Sequence, residues 1–389
     1  MRAQNSGLLI ELIWAEREIS RVEISRRTGL SPSTVSMIVA TLAEAGLVRE
    51  IGTASSARGR RPTLLTFCDD VLNIVGVEIG IRHVSVALTD LRGQVRSFKR
   101  ESHDMRRGPE GTLEKVRDLV NDSIKESRLP KKRILGIGVA VPSPVDRAHP
   151  GVLASVLYPA WKGYDIVADL EKSFKLPMSV DNDANLGALA EHWWGGGVGV
   201  GDLAYVKIGA GIGSGHIVRG ELYRGSGGTA GELGHVCVDP KGPACICGAR
   251  GCLTTLVGSD ALTVRAQKIF HDKRAGIGDI VRHAQAGHAG ALSLLDEIAA
   301  HLGQVVVGAL VNVMNPAVIV LGGEICSAGD LLLDPLRRFV RERLAVASFD
   351  AGRVTTSRLG TQSIAVGAAT LHLDEALRNP DRFLVAGAA

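Results

Sequence analysis

The sequence is short of aromatic residues, which fill 4% of its 389 positions, and short of net charge, at +4. So small a charge does not by itself imply a nucleic-acid ligand, and its distribution along the chain says more. No run of 18 apolar residues is free of a charge or an amide, which argues against a bilayer-spanning helix and a membrane partner. A secretory leader is not expected either: the apolar run from Leu8 to Trp14 is broken by Glu11 and followed by Glu16, Arg17 and Glu18. The chain is therefore read as cytoplasmic, where thiols stay reduced. Its six cysteines then point to metal binding or packing rather than disulfides. Glycine, by contrast, is plentiful at 47 residues, beside 45% hydrophobic residues. That composition suits an α/β protein rich in tight turns, and the length predicts two or three domains.

Leu8, Leu9, Leu12, Ile13 and Ala15 recur at helical spacing and predict an amphipathic first helix. A second helix runs from about Arg21 to Thr28 and stops at Gly29, which supplies the left-handed turn. Ser31 is a natural N-cap and Pro32 suits the first helical position, so a third helix continues to Ala45, ended by Gly46. Ile24, Leu30, Val35, Ile38 and Leu42 can share one small core. This order describes a helix-turn-helix. Residues near the start of its second helix, Ser33, Thr34, Ser36 and Met37, would meet base edges. None is charged, so affinity must come from elsewhere. Arg49, Arg58, Arg60 and Arg61 face a single acid, Glu50, in a stretch that reads as a wing between two strands. Neutralising three or four phosphates there would give a salt slope of roughly −3 to −4. The competing readings are a three-helix cap without a ligand and, for the arginines, a solvated linker.

Beyond residue 70, segments 74–80, 83–90 and 94–102 read as three consecutive strands, followed by a helix from about Pro109 to Ser127 and a buried strand at 134–142. A second strand-rich start at 203–218 leads to helical segments, an apolar strand at 317–323 and a helix from about Ala328 to Leu344. Two lobes of duplicated α/β plan follow from this, hinged around a cleft that is the natural place for a ligand.

Three constellations carry chemistry. His235, Cys245, Cys247 and Cys252 offer four soft ligands in eighteen residues, with nearby glycines to fold the loop back, as tetrahedral zinc requires. Four protein ligands leave no open position, so the ion would be structural. Cys237 is a competing ligand, and buried or redox-active cysteines are the other reading. Residues 181–185, DNDAN, follow a strand and precede a helix. Asn182 and Asp183 can bind hydroxyls there, and Asp183 can act as a general base; helix capping is the equally weighted alternative. The glycine-rich hairpins at 78–82 and 209–215 can direct backbone N–H groups at phosphates, a weak signal taken alone.

PSPVD (142–146), DNDAN (181–185), GAGIGSG (209–215), GTAGELGH (228–235), CICGARGC (245–252) and LGGE (321–324) together resemble the ROK family of repressors, open reading frames and kinases. The similarity covers essentially the whole chain. It implies a winged helix-turn-helix over 1–67 and a two-lobed, actin-like body of the hexokinase ATPase type. The first lobe would span 68–181, with a C-terminal helix of about 360–389 returning to it. The second would span 182–359 and carry the zinc loop 235–252. The resemblance implies that Asn182, Asp183, Glu232 and His235 contact sugar hydroxyls, and that Asp183 holds the kinase-base position. His235 would present one ring nitrogen to zinc and the other to the ligand, because metal ligation fixes its tautomer and orientation.

Two departures matter. Family kinases open the first lobe with Asp-x-Gly-Gly-Thr, whereas this chain has Glu78-Ile79-Gly80-Ile81-Arg82, which should spoil the nucleotide site. Where the family places a sugar-binding acid after the last zinc cysteine, this chain has Thr254. That loss would cost about 2 to 3 kcal/mol for a glucose-like ligand. The expected protein is thus a DNA-binding regulator, a repressor rather than an enzyme. It would hold one zinc ion per chain, sense a sugar-like effector and bind double-stranded operator DNA as a homodimer or homotetramer, since symmetric operators need paired recognition helices. A sugar kinase that uses ATP, and a regulator without a ligand, are the alternatives.

Overall fold

The computed structural model describes residues 2–53, 63–154, 157–344, 349–379 and 381–383. The head contains α1 (Arg2–Glu16), β1 (Ile19–Ser20), α2 (Arg21–Thr28), α3 (Pro32–Glu44), β2 (Val48–Thr53) and β3 (Thr63–Phe67), with its strands in the order β1-β3-β2. Local chemistry sets its turns. Ser20 and Ser31 accept the amides of Glu23 and Thr34 at 3.2 and 3.1 Å, and Gly29 takes φ 70° between the two helices.

The first lobe is built from β4 (Asn73–Ile79), β5 (His83–Asp90), β6 (Val95–Ser102), α4 (Pro109–Ser127), β7 (Ile134–Val141), α5 (Ile166–Phe174) and β8 (Met178–Asn182). From it α6 (Asp183–Trp194) crosses to the second lobe. That lobe contains β9 (Leu203–Ile208), β10 (Ile212–Val218), β11 (Glu221–Tyr223), α7 (Leu253–Val257), α8 (Ser259–Phe270), α9 (Ile277–Gln285), α10 (Ala289–Val305), β12 (Val318–Gly322), α11 (Asp330–Arg343) and β13 (Val354–Thr356). α12 (Ser363–Arg378) closes the chain. The two lobes repeat one plan. Sheet β6-β5-β4-β7-β8 and sheet β11-β10-β9-β12-β13 each join an antiparallel meander to two parallel strands.

Helix α12 lies on the first-lobe sheet and against α6, and glycine permits the closeness. A Cβ at Gly138 would stand 1.7 Å from the Ala368 carbonyl oxygen, and one at Gly76 would stand 1.8 Å from that of Ala365. Head and body share a core: Leu9, Ile13, Ile24, Val35 and Ile38 belong to one cluster with Leu72, Leu135, Leu373 and Phe383. In the second lobe α10 continues through Val306–Met314 as one 26-residue helix, long and apolar enough to span a membrane, and most of it is buried in that lobe's core.

Candidate functional site

The start of α3 is the exposed edge of the head. Ser33, Ser36 and Met37 are exposed there, and Thr34 is half-buried. The Ser31 hydroxyl bonds those of Ser33 and Thr34 at 2.9 and 2.8 Å, so these two side chains are partly held by the cap. Arg21, Arg26 and Arg27 are paired with Glu50, Glu23 and Glu16. Arg49 is exposed and has no ion pair among the described residues. Arg58, Arg60 and Arg61 lie outside the described residues.

Between the lobes is a cavity of about 300 Å³, in the range of small-ligand sites. Asn182, Asp183, Glu232 and His235 all line it, with Tyr158, Lys207, Arg106, Thr254 and Asp260. The strand-to-helix junction places Asn182 and Asp183. Asn182 caps α6 by accepting the amides of Ala184 and Asn185 at 2.9 and 3.3 Å, and its Nδ2 donates to the Ser143 carbonyl at 3.2 Å. Capping, the equally weighted reading of DNDAN, therefore accounts for most of this side chain. Asp183, buried, accepts from the Lys207 ammonium, which comes from β9 in the second lobe. Burial pushes the Asp183 carboxyl above the ordinary carboxylate range; Lys207 opposes that shift and the charge of Glu78 adds to it. Burial also raises Glu232, against the pull of His235.

Sequence reading missed Lys207. A lysine inside an apolar strand just before a glycine-rich turn was the available signal, because lysine is rarely buried without a partner. It also missed how the first-lobe turn is used. Glu78 is buried on β4, where His83 Nε2 meets its Oε1 at 2.9 Å and Ser85 Oγ donates to its Oε2 at 2.9 Å. Burial alone would raise this carboxyl, but His83, Lys207 and Ser85 together hold it below the ordinary range. Arg82 donates across the cleft to both carboxylate oxygens of Asp260 on α8, at 3.0 and 3.1 Å, and to Asp104 at 3.1 Å. Arg106 joins the same group through Asp104 at 2.8 Å. The turn thus spends its polar side chains on neighbouring side chains.

One wall of the cavity carries the cysteine cluster. The ligand atoms of His235, Cys245, Cys247 and Cys252 all lie within 4.8 Å of one another, and the cluster leaves out Cys237. Cys247 Sγ and Cys252 Sγ are 3.7 Å apart, unbridged, and Cys245 Sγ is 3.4 Å from His235 Nδ1. These are close to the ~3.8 Å edges of a tetrahedron with metal–sulfur bonds of about 2.3 Å. The donor set therefore fits a metal ion. The other ring nitrogen, Nε2, faces Glu232 at 3.7 Å.

The sequence model of the ROK family matches residues 74–375, the whole two-lobed body. The chain belongs to the ROK family. A winged helix-turn-helix DNA-binding model matches residues 4–49, so this is a DNA-binding regulator of that family. The chain is 33% identical to a protein named putative xylose repressor from Caldicellulosiruptor sp. (strain Rt8B.4), over 97% of both chains. Among solved structures, a ROK family transcriptional regulator described as a homolog of E. coli MLC protein matches with TM-score 0.80 and 25% identity, over 100% of this chain and 99% of that one. A ROK family glucokinase from Streptomyces griseus, in complex with glucose and AMPPNP, matches with TM-score 0.69 and 26% identity, covering 76% of this chain and 98% of its own. The kinase match lacks the length of the head; the regulator match includes it.

Proposed function

We propose that the chain is a sugar-responsive transcription repressor of the soluble cytoplasm. It binds double-stranded operator DNA through its heads as a homodimer or homotetramer, and takes one sugar or sugar derivative in the cleft. The observation that carries this is the contrast within the cleft. Asp183, Glu232 and His235 converge on a cavity, while at the first-lobe turn Glu78 is paired with His83 and Arg82 with Asp260, beside a smaller cavity of about 150 Å³. A hydroxyl-binding surface is kept, while the polar side chains of the turn that would face phosphate are already paired with neighbouring side chains, which supports sensing over phosphoryl transfer. Lys207 strengthens the case, because an ammonium on Asp183 competes for the carboxylate a kinase would use as base.

One zinc ion held by His235, Cys245, Cys247 and Cys252 would brace the wall that presents His235 Nε2 to the ligand. Arg49, with Arg58, Arg60 and Arg61, would contact phosphates, and Ser33, Thr34, Ser36 and Met37 would face bases. The relative whose name is putative xylose repressor makes a pentose the first effector to try. Thr254 lines the cavity where the family resemblance calls for an acid, so selectivity should differ from that for a glucose-like ligand.

The test is a thermal-shift screen of D-xylose, other sugars, sugar phosphates and polyols, joined to footprinting on promoter DNA near the protein's own gene. A sugar that stabilises the protein and changes its protection of the promoter is the expected result. ATP-dependent phosphorylation of a hexose, lost in Asp183→Asn, would replace this reading with the kinase one. Absence of any promoter protection at moderate salt would remove the regulator reading.

A further inference from the structure

The cleft and the DNA-binding head are joined by the two ends of one helix. α6 begins in the cleft, where Asn182 caps it and Asp183 is its first residue. It ends at Trp193 and Trp194, about 17 Å further along at 1.5 Å per residue. There the two indoles meet Trp14 near the end of α1, with ring centroids 5.4 and 6.3 Å from it. Trp14 is fixed from its other sides: its Nε1 donates to the Leu91 carbonyl at 3.0 Å, and Arg92 lies 4.4 Å over its ring. Arg92 Nη2 also donates to the Trp14 carbonyl at 2.7 Å. Trp194 Nε1 donates to Thr370 Oγ1 on α12 at 2.8 Å.

Between these ends α6 has little room to bend. A Cβ at Gly367 of α12 would lie 1.8 Å from the Leu186 carbonyl oxygen, and one at Gly215 of β10 would lie 2.2 Å from that of Ala184. Near the C-terminal end, the buried Glu191 accepts from Ser357 Oγ and from the Gly196 amide. A helix gripped on two faces moves as a unit, so a displacement of its first turn reaches its last.

We infer that α6 transmits the state of the cleft to the head, and that the Trp14–Trp193–Trp194 cluster is the contact that receives it. The inference rests on the cleft being the effector site and adds the route out of it. Hydroxyls that bond Asp183 compete with the Lys207 ammonium and shift the first turn of α6. The cluster passes that shift to α1, whose Leu9 and Ile13 share a core with Val35 and Ile38 of the recognition helix. The ligand acts to the extent that it binds the shifted and unshifted states unequally.

Three of the chain's four tryptophans belong to the cluster, so tryptophan emission reports on it directly. The test uses the full chain, a promoter duplex from upstream of its own gene, and D-xylose as probe. In the wild type, saturating D-xylose weakens binding to the duplex about tenfold and changes the emission. Trp193→Leu keeps the sugar-induced thermal shift and the basal DNA affinity, but its coupling falls below about twofold. Trp193→Phe, which retains a ring, recovers most of it. Full coupling in Trp193→Leu overturns the inference. If D-xylose gives no thermal shift in the wild type, the pentose reading of the cleft fails separately, and the route is judged from the DNA side. Hydrogen exchange over residues 183–189 then slows on adding the duplex to the wild type and does not slow in Trp193→Leu; no slowing in the wild type overturns the inference.

Discussion

In the first lobe the turn between β4 and β5 carries Ile81 and Arg82, and the strand entering it carries Glu78. In the second lobe the matching turn between β9 and β10 is Gly209-Ala210-Gly211, and the strand entering it carries Lys207. The sheets around the two turns have the same order, so the backbone plan was duplicated while the chemistry diverged. The acid of the first lobe is satisfied within its own hairpin by His83 and Ser85. The lysine of the second reaches out of its strand to Asp183, at the head of α6. The first lobe also reaches across, through Arg82, but to a half-exposed partner. Burial therefore separates a contact that anchors the start of α6 to β9 from a half-exposed one across the cleft.

The second lobe should depend on its cysteine loop more than the first depends on any one residue. Cys252→Ser is expected to abolish metal retention and to cost several kcal/mol, because a closed site contributes its binding energy to folding. Elemental analysis and a thermal melt check this, and unchanged zinc content would remove the assignment. The next largest effect is expected at the buried contact between β9 and the start of α6. Lys207→Met leaves the Asp183 carboxylate buried without its cation and should cost about 3 to 5 kcal/mol, measured by denaturant unfolding. Lys207→Met with Asp183→Asn should recover much of that loss, which a packing defect alone would not allow.

Acid should affect both lobes alike. Burial holds His216 in the second lobe down to about 4, and His372 on α12 to about the same value, with Arg382 adding to the second shift. Between about pH 6.5 and pH 4 the unfolded chain binds protons that these folded sites refuse. Their contribution is thus complete above about pH 6.5 and falls through that window, by on the order of 3 kcal/mol each. Melting temperatures between pH 7.5 and pH 4.5, compared with those of His216→Leu and His372→Leu, measure it. The smallest effect belongs to Arg82→Ala, whose partner Asp260 is half-exposed: less than about 1 kcal/mol, vanishing in about 0.5 M salt. A larger loss that survives salt would mean that the Arg82–Asp260 and Lys207–Asp183 contacts are equivalent after all.

Much of the head was legible in the sequence because its signals are local. Ser31, Pro32 and Gly29 act within a few residues of where they stand, and the spacing of Ile24, Val35 and Ile38 encodes one helical face. The cysteine cluster was legible for the same reason: its four ligands fall within eighteen residues. That DNDAN faces the cleft was legible, yet the division of labour inside it was not. Asn182 is largely committed to capping α6, and Asp183 to Lys207, a residue twenty-four positions away on another strand.

The two glycine-rich turns were visible from the outset as places where backbone approaches something closely. Sequence alone determined that the turns exist, that the first carries Ile81 and Arg82 after its glycine, and that a head precedes a two-lobed body. Only the tertiary structure decided what Arg82 and Lys207 hold, and that Trp14 of the head rests on the end of the helix that starts in the cleft. The reason is range. Caps, turns and ligand loops are settled by neighbours in the chain, whereas ion pairs and ring contacts between distant segments depend on which surfaces packing brings together.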